Sequence, residues 1–267
     1  MLIVSANVNG IRAAARRGGV TWLAGSGADV ITLQEVRADA DQLAAALSDT
    51  ALASWHVAHA PSEAKGRAGV AVLSRLEPIA VRDDLHAEFA GTGRWVEVDL
   101  PMASGAEVVT VASTYVHTGQ AGTPRQAEKE RFLCAIGERL SRWAQEGRYA
   151  VVTGDLNVAH TADDLKNWKG NRGKAGYLPQ EQAHLAAWGA EHGFVDVTRH
   201  LDGAGPGPYT WWSWRGQAFD NDSGWRIDYQ FASRALAQRA VSAEIGKAAA
   251  YDQRWSDHAK VSVTYEV

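Results

Sequence analysis

Five short polar motifs in this chain could do chemistry: Asn7-Val8-Asn9-Gly10, Leu33-Gln34-Glu35, Tyr115-Val116-His117, Gly154-Asp155-Leu156-Asn157 and Ser256-Asp257-His258. Each lies at the end of a run that reads as a strand. Singly, each has an ordinary structural explanation. Together they hold what metal-assisted hydrolysis of a phosphodiester requires. Carboxylates and amides suit a hard cation, a phenol and amides suit a phosphate, and a histidine beside acids suits proton traffic. A folded sheet that gathers them on one rim would make a site.

Asp155 and Asn157 are two apart, so on an extended backbone they point the same way. That pair can orient a water and hold a phosphate oxygen, although Asp and Asn also favour turns after strands. Glu35 alone at a strand end is usually just solvated. With Asn7 it makes a sparse oxygen site of the kind Mg²⁺ takes, with Mn²⁺ as a substitute. No Cys/His spacing supports a structural zinc. His258 needs an orienting carboxylate to act catalytically. Asp228, in Trp225-Arg226-Ile227-Asp228-Tyr229, is the candidate. Tyr115 also reads as a half-buried strand tyrosine. Trp211, Trp212, Trp214 and Trp225 read first as packing, and second as a stacking or sugar-binding pocket.

The elements that must carry these motifs are mixed in order. Strands are expected at Leu2–Val8, Asp29–Gln34, Trp55–His59, Gly69–Leu73, Trp95–Leu100, Val108–Tyr115, Tyr149–Thr153, Tyr209–Trp214, Ile227–Phe231 and Lys260–Tyr265. Several are continuously apolar, as strands buried between two layers are. Helices are expected at Asp39–Leu47, Pro124–Gln145 and Pro179–His192, the last opened by proline and acid and stopped by Gly193. The pattern predicts an α/β sandwich of two packed sheets with helices outside. The polar, glycine-containing stretch Val158–Leu178 reads as a long functional loop.

The 267 residues, 46% hydrophobic, suffice for one large domain, expected to span 1–267. No apolar run approaches a membrane span, and the first residues read as a strand, not a leader. One cysteine, Cys134, excludes an internal disulfide and suits a cytoplasmic protein. It falls in an amphipathic helix pattern, where burial is expected. A net charge of −4 argues against coating nucleic acid through bulk positive charge, but not against a local cleft. Arg16 and Arg17 read as solvated surface. Lys166, Lys169, Arg172 and Lys174 interleave with Asn167, Trp168, Gly170, Asn171 and Gly173, a mix suited to phosphate contacts. With no coiled coil or long tail, a monomer is expected.

These residues resemble the exonuclease III family of apurinic/apyrimidinic endonucleases, from Asn7 to His258. The block Gly154–His160, then Asp164-Leu165, Asn167–Asn171 and Ala175–Glu181 is more specific than any single motif. So is Gly224–Tyr229 combined with Ser256–His258. The resemblance implies a four-layer α/β/β/α sandwich with its site at one end of the sheets. It implies cleavage of duplex DNA on the 5′ side of an abasic site, leaving a 3′-hydroxyl. It makes Glu35 a Mg²⁺ ligand, with Asn7 beside it and Asp257 close by, and Asp155 the residue that positions or deprotonates the attacking water. On the same resemblance Asn157 and His258 would hold the scissile phosphate, Asp228 would orient His258, and Tyr115 would contact the phosphate. It implies that Asn171 and Arg172 would touch the DNA backbone and that Trp211, Trp225 and Ile227 match the pocket for the flipped-out abasic sugar, whose missing base lowers the flipping cost. Asn9 stands where some relatives have Asp. Thr118 replaces an amide common in relatives, and Arg215 stands at an often apolar wedge position.

Two other readings remain from the residues alone. One is a hydrolase of another phosphoester, such as a phosphoinositide, a sphingolipid or a small nucleotide, because a fold does not choose its substrate. The other is a catalytically dead binder of damaged DNA.

Overall fold

A computed structural model of the chain describes residues 1–102, 105 and 107–267. Strand β1 (Leu2–Asn7) leads through helices α1 (Ile11–Arg16) and α2 (Gly19–Ala24) to β2 (Val30–Gln34) and α3 (Ala40–Leu47). Strands β3 (His56–Ala60), β4 (Val70–Ser74), β5 (Ala80–Arg82), β6 (Trp95–Pro101) and β7 (Val108–Tyr115) follow. Next come α4 (Pro124–Gln145), β8 (Tyr149–Asp155), α5 (Trp168–Asn171), α6 (Pro179–Ala190), β9 (Phe194–Asp196) and α7 (Val197–Asp202). The chain closes with β10 (Asp228–Ser233), α8 (Arg234–Ala237), β11 (Ala240–Gly246) and β12 (Lys260–Tyr265).

The strands form two six-stranded sheets, ordered β11-β12-β1-β2-β4-β3 and β5-β6-β7-β8-β10-β9. Three apolar interfaces make the layers. Val4, Ile31, Leu33 and Leu73 of the first sheet pack under Ile11, Val20, Leu23 and Leu43 of α1 to α3. Ile3, Val30 and Val72 face Val98, Val109, Val111 and Val151 between the sheets. Phe132, Ile136 and Leu140 of α4 and Trp188 of α6 cover Val152 and Phe231 of the second sheet. Neighbours such as Ile3 and Val4, or Val151 and Val152, therefore serve opposite interfaces. Sheets covered on both faces explain the continuously apolar strand runs. The expected four-layer α/β/β/α sandwich is the observed one.

Register sets up the rim. β1 and β2 run parallel with Asn7 opposite Gln34, so both chains leave the sheet at the same end. β7 and β8 are also parallel, with Tyr115 opposite Asp155. β10 runs antiparallel to β8 with Asp228 opposite Asp155. One row of the second sheet thus carries Tyr115, Asp155 and Asp228. Helix α3 starts where expected because Asp39 accepts from the N–H of Gln42 at 2.9 Å in a capping box.

Three expectations fail. Tyr209–Trp214 is no strand; only Trp211 makes isolated bridges, to Trp225 and His258. Tyr209 and Trp212 instead seed a small core of their own with Phe219 and Ala259. Cys134 is exposed, because the buried stripe of α4 runs through Phe132, Leu133, Ile136 and Leu140 and leaves it on the other side. The long stretch after β8 contains a helical turn, α5. Strands β5, β9 and β11 escape pattern reading because they are edge strands or short, with weak alternation. No helix among the described residues is long and apolar enough to cross a membrane.

Candidate active site

Asn7 is the hinge of the site. Wholly buried at the end of β1, its Nδ2 donates to Glu35 Oε1 at 3.0 Å and to Asp155 Oδ2 at 2.9 Å. One amide therefore ties a carboxylate of the first sheet to one of the second. Its Oδ1 accepts from the Asn9 N–H at 3.0 Å. Asn9 Nδ2 donates to Asp257 Oδ1 at 2.8 Å, and Trp211 Nε1 to Asp257 Oδ2 at 3.1 Å. Ser256 donates to the Asn7 carbonyl at 2.7 Å, which fastens the Ser256–His258 segment to the end of β1.

The chain turns sharply where each motif leaves its strand. Asn9, Glu35 and Asn157 all have positive φ, at 47°, 50° and 49°. Asn tolerates this region and Glu does so at a cost, which neighbouring contacts must meet. Gly154 is required: at φ 132° an added Cβ would lie 2.1 Å from the Thr114 carbonyl. Its absence lets β7 and β8 close up just before Asp155.

His258 Nδ1 lies 2.9 Å and 3.1 Å from the two Asp228 oxygens, and its Nε2 lies 3.8 Å from Asp155 Oδ2. Thr210 Oγ1 donates to Asp228 Oδ2 at 2.6 Å while accepting from the Ile227 and Asp228 N–H groups. Burial opposes charge on His258, but Asp228 and Asp155 outweigh it and push the imidazole up to about 10. Burial pushes the Asp155 carboxyl well above the usual range. His258 works against that shift, while Asp228 and Glu35 add to it. Tyr115 is raised by burial and then by Glu35 and Asp155, so its phenol keeps its proton.

One ligand atom each from Glu35, Asp155 and His258 lie within 4.8 Å of one another. Two carboxylates, Glu35 and Asp155, the second with its charge disfavoured by burial, offer oxygens and no thiolate and fit a hard cation. Asn7, as oriented, turns its amide nitrogen toward both carboxylates.

Above this floor opens a cleft of about 420 Å³. Asn9, Glu35, Tyr115, Asp155, Asn157, Asn171, Trp211, Trp225, Ile227, Asp257 and His258 all line it. Asn7 and Asp228 sit just beneath, reached through their hydrogen bonds. Arg172 and Arg215 are exposed and outside the lining; Arg172 stacks its guanidinium 4.5 Å from the Trp168 ring. Thr118 reaches Asn157 Oδ1 only at 3.5 Å. His117 faces away and meets the Arg125 carbonyl at 2.9 Å.

Residues 4–258 match the model of the Endonuclease/Exonuclease/phosphatase family. The chain belongs to this family. It is 33% identical over 269 residues to an exodeoxyribonuclease of Bacillus subtilis (strain 168), covering all of both chains. Its fold is similar to that of an AP endonuclease from Archaeoglobus fulgidus, with a TM-score of 0.85, 26% identity and full coverage of both chains. It is also similar to the 3′ phosphatase NExo from Neisseria bound to a product DNA hairpin, with a TM-score of 0.86, 27% identity and full coverage of both. Within the family the chain is a phosphodiesterase of the exodeoxyribonuclease III type.

Sequence reasoning missed three contributors to this family site. Arg37 lines the cleft and pairs with Glu35, its Nε 3.0 Å from Oε2. Its proximity to Glu35 in sequence was the available signal. Thr210, which locks Asp228, lies in a segment read as a strand and carries no motif. Lys129 and Glu181, a buried pair behind the cleft, sit on two different helices.

Proposed function

We propose that the protein is a Mg²⁺-dependent AP endonuclease of base excision repair, acting as one domain and as a monomer in the cytoplasm. It hydrolyses the phosphodiester 5′ to abasic sites in duplex DNA and leaves a 3′-hydroxyl, with 3′–5′ exonuclease and 3′-end processing activity. One observation carries the reading. Glu35, Asp155 and His258 converge beneath an open cleft walled by Trp211, Trp225 and Ile227.

Glu35 would hold the cation, with Asp257 nearby and Asn7 fixing the carboxylate; Mn²⁺ could substitute. When bound, Mg²⁺ supplies charge stabilisation at the phosphate oxygens. Asp155 positions the attacking water and takes its proton. Hydrogen bonds from the Asn157 N–H at 2.9 Å, the Asn157 side-chain amide at 3.1 Å and Asn7 at 2.9 Å orient it. His258, held charged by Asp228, donates to a non-bridging phosphate oxygen. Tyr115 adds a neutral donor and Asn157 helps hold the same phosphate; in this structure the Asn157 amide nitrogen donates to the Val116 carbonyl at 2.8 Å and to Asp155 Oδ2 at 3.1 Å. The attack is in line and displaces the 3′ oxygen, with no covalent enzyme intermediate.

The cleft wall accounts for substrate choice. Trp211 and Trp225 meet edge to face, 6.5 Å between centroids, beside Ile227, giving an apolar pocket for a sugar without its base. Asn171 and Lys174 add polar contacts for the backbone on the same wall. Arg172 and Arg215, exposed outside the cleft, would meet flanking phosphates and the groove. The related NExo structure with a DNA hairpin supports duplex DNA as partner.

The test is a labelled duplex carrying one tetrahydrofuran abasic mimic, with Mg²⁺ or EDTA, beside an intact duplex. Mg²⁺-dependent cutting 5′ to the mimic is the expected result. Stepwise shortening from 3′ ends without incision would leave only the exonuclease reading.

A further inference from the structure

Lys129 of α4 and Glu181 of α6 form an ion pair at 2.6 Å with both side chains fully buried. Desolvation holds the Lys129 ammonium below its ordinary value, so the pair is no free gain for stability. Its contacts point elsewhere. Lys129 Nζ donates to the Asn157 carbonyl at 2.8 Å and to the Thr118 carbonyl at 3.3 Å. Glu181 Oε2 accepts from the N–H groups of Gly176 at 2.7 Å and Leu178 at 3.0 Å. Its Oε1 also accepts from Gln126 at 2.9 Å.

Thr118, Asn157 and Gly176 all line the cleft. They come from three separate loops, and these bonds from one buried pair reach the backbone at each. Gly176 is pressed against its neighbours: an added Cβ would lie 3.1 Å from the Asn157 carbonyl and 3.2 Å from the Trp225 ring. Asn157, in its turn, stands in left-handed backbone, where small shifts redirect the side chain.

We propose that the Lys129–Glu181 pair is a positioning brace that sets Asn157 against the cleft wall at Gly176 and Trp225. This rests on the phosphate-holding role proposed for Asn157. The pair touches no substrate. It acts from behind, holding the phosphate-binding turn and the sugar pocket at a fixed separation.

The experiment compares Lys129→Met, Glu181→Gln and the double variant with Leu140→Ala, a core cavity on α4 away from the cleft. Thermal midpoints are measured, with kcat and KM on a 3′-recessed duplex and on the abasic duplex. The single variants strand a buried charge or dipole and lose stability. The double variant removes both charges and recovers much of it. The brace predicts that kcat stays down about 10- to 100-fold in the double variant, the cost of displacing a positioned group by an ångström or so, with KM changed far less. Leu140→Ala keeps its kcat despite a lower midpoint. A double variant with wild-type kcat, or a kcat loss in Leu140→Ala equal to its match in stability, would overturn the brace. If the wild type leaves the abasic duplex uncut, the abasic-site reading fails while the brace is still decided on the 3′-recessed duplex.

Discussion

Asp228→Asn is the sharpest test of the charge arrangement. His258 is buried, with 5% of its side chain exposed, yet it is raised from an ordinary 6.5 to about 10. That rise favours the imidazolium by roughly 5 kcal/mol. Asp228 is the larger of the two main charges responsible and the one hydrogen-bonded to Nδ1. If it supplies about half, its neutralisation costs roughly 2–3 kcal/mol of the charged form, or about a hundredfold in kcat. The sign of the stability effect follows. A raised folded value contributes stability that is fully present below 6.5 and lost as pH rises through about 10. In metal-free protein, the urea stability gap between wild type and Asp228→Asn should be widest below pH 6.5 and shrink toward pH 10. Single-turnover kinetics on the abasic duplex give the rate. A gap that is constant or grows with pH, or a kcat within threefold of wild type, would refute the assignment.

Asp155→Asn and His258→Ala should each lower kcat by orders of magnitude with duplex binding largely kept, read by steady-state kinetics beside electrophoretic mobility shift; near-normal turnover in either sinks the role. Gly154→Ala should cost about 3 kcal/mol or more, because its Cβ meets the Thr114 carbonyl at 2.1 Å and the backbone stands at φ 132°; chemical denaturation measures it, and an unchanged midpoint contradicts the close approach of β7 and β8. Asp164 is buried, which alone would raise it, but Arg226 and Arg199, each at 2.6 Å, hold it below the usual range. It therefore stabilises above about pH 4 and loses that contribution as pH falls through its depressed value. Asp164→Asn should be about 3 kcal/mol less stable at pH 7, with the gap closing in acid; urea titrations at both pH values check it.

The layers and most strands were legible because their signal is local. A strand buried on both faces must be apolar at every position, and Tyr149–Val152 or Val70–Leu73 announce themselves. The 22-residue helix α4 matches its sequence bounds at both ends, since Pro124 starts it and the apolar stripe runs through it. Cys134 failed for the opposite reason: membership of an amphipathic helix says nothing about which side of the stripe a residue occupies. The floor of the site was legible too, because its carboxylates and amides cluster at strand ends. Its supports were not. Thr210 matters only through Asp228, eighteen residues on, and Lys129 only through Glu181 and Asn157. Pairings of that kind are fixed by tertiary packing and leave no pattern in the local sequence.

On the proposed function, chemistry and substrate choice fall to different parts of this site. The catalytic floor hangs on sheet register: Asn7 beside Gln34, then Tyr115, Asp155 and Asp228 in one row. Registers cannot slip by one residue without turning a whole face inside out, so the floor is rigid and suits phosphodiester hydrolysis in general. The walls are loops. Residues 165–178 and 209–227 meet through the bridges of Leu165 and Trp211 to Trp225, and Arg226 ties them to Asp164 and Asp196. Loops tolerate change that strands do not. An exodeoxyribonuclease, an AP endonuclease and a 3′ phosphatase are each similar to this chain over its full length. Thr118 meets Asn157 Oδ1 only at 3.5 Å at the edge of the cleft, and Arg215 is charged and exposed outside its lining. On the proposed function both would bear on how DNA is gripped, and the ratio of incision to end trimming is where replacing either would be read.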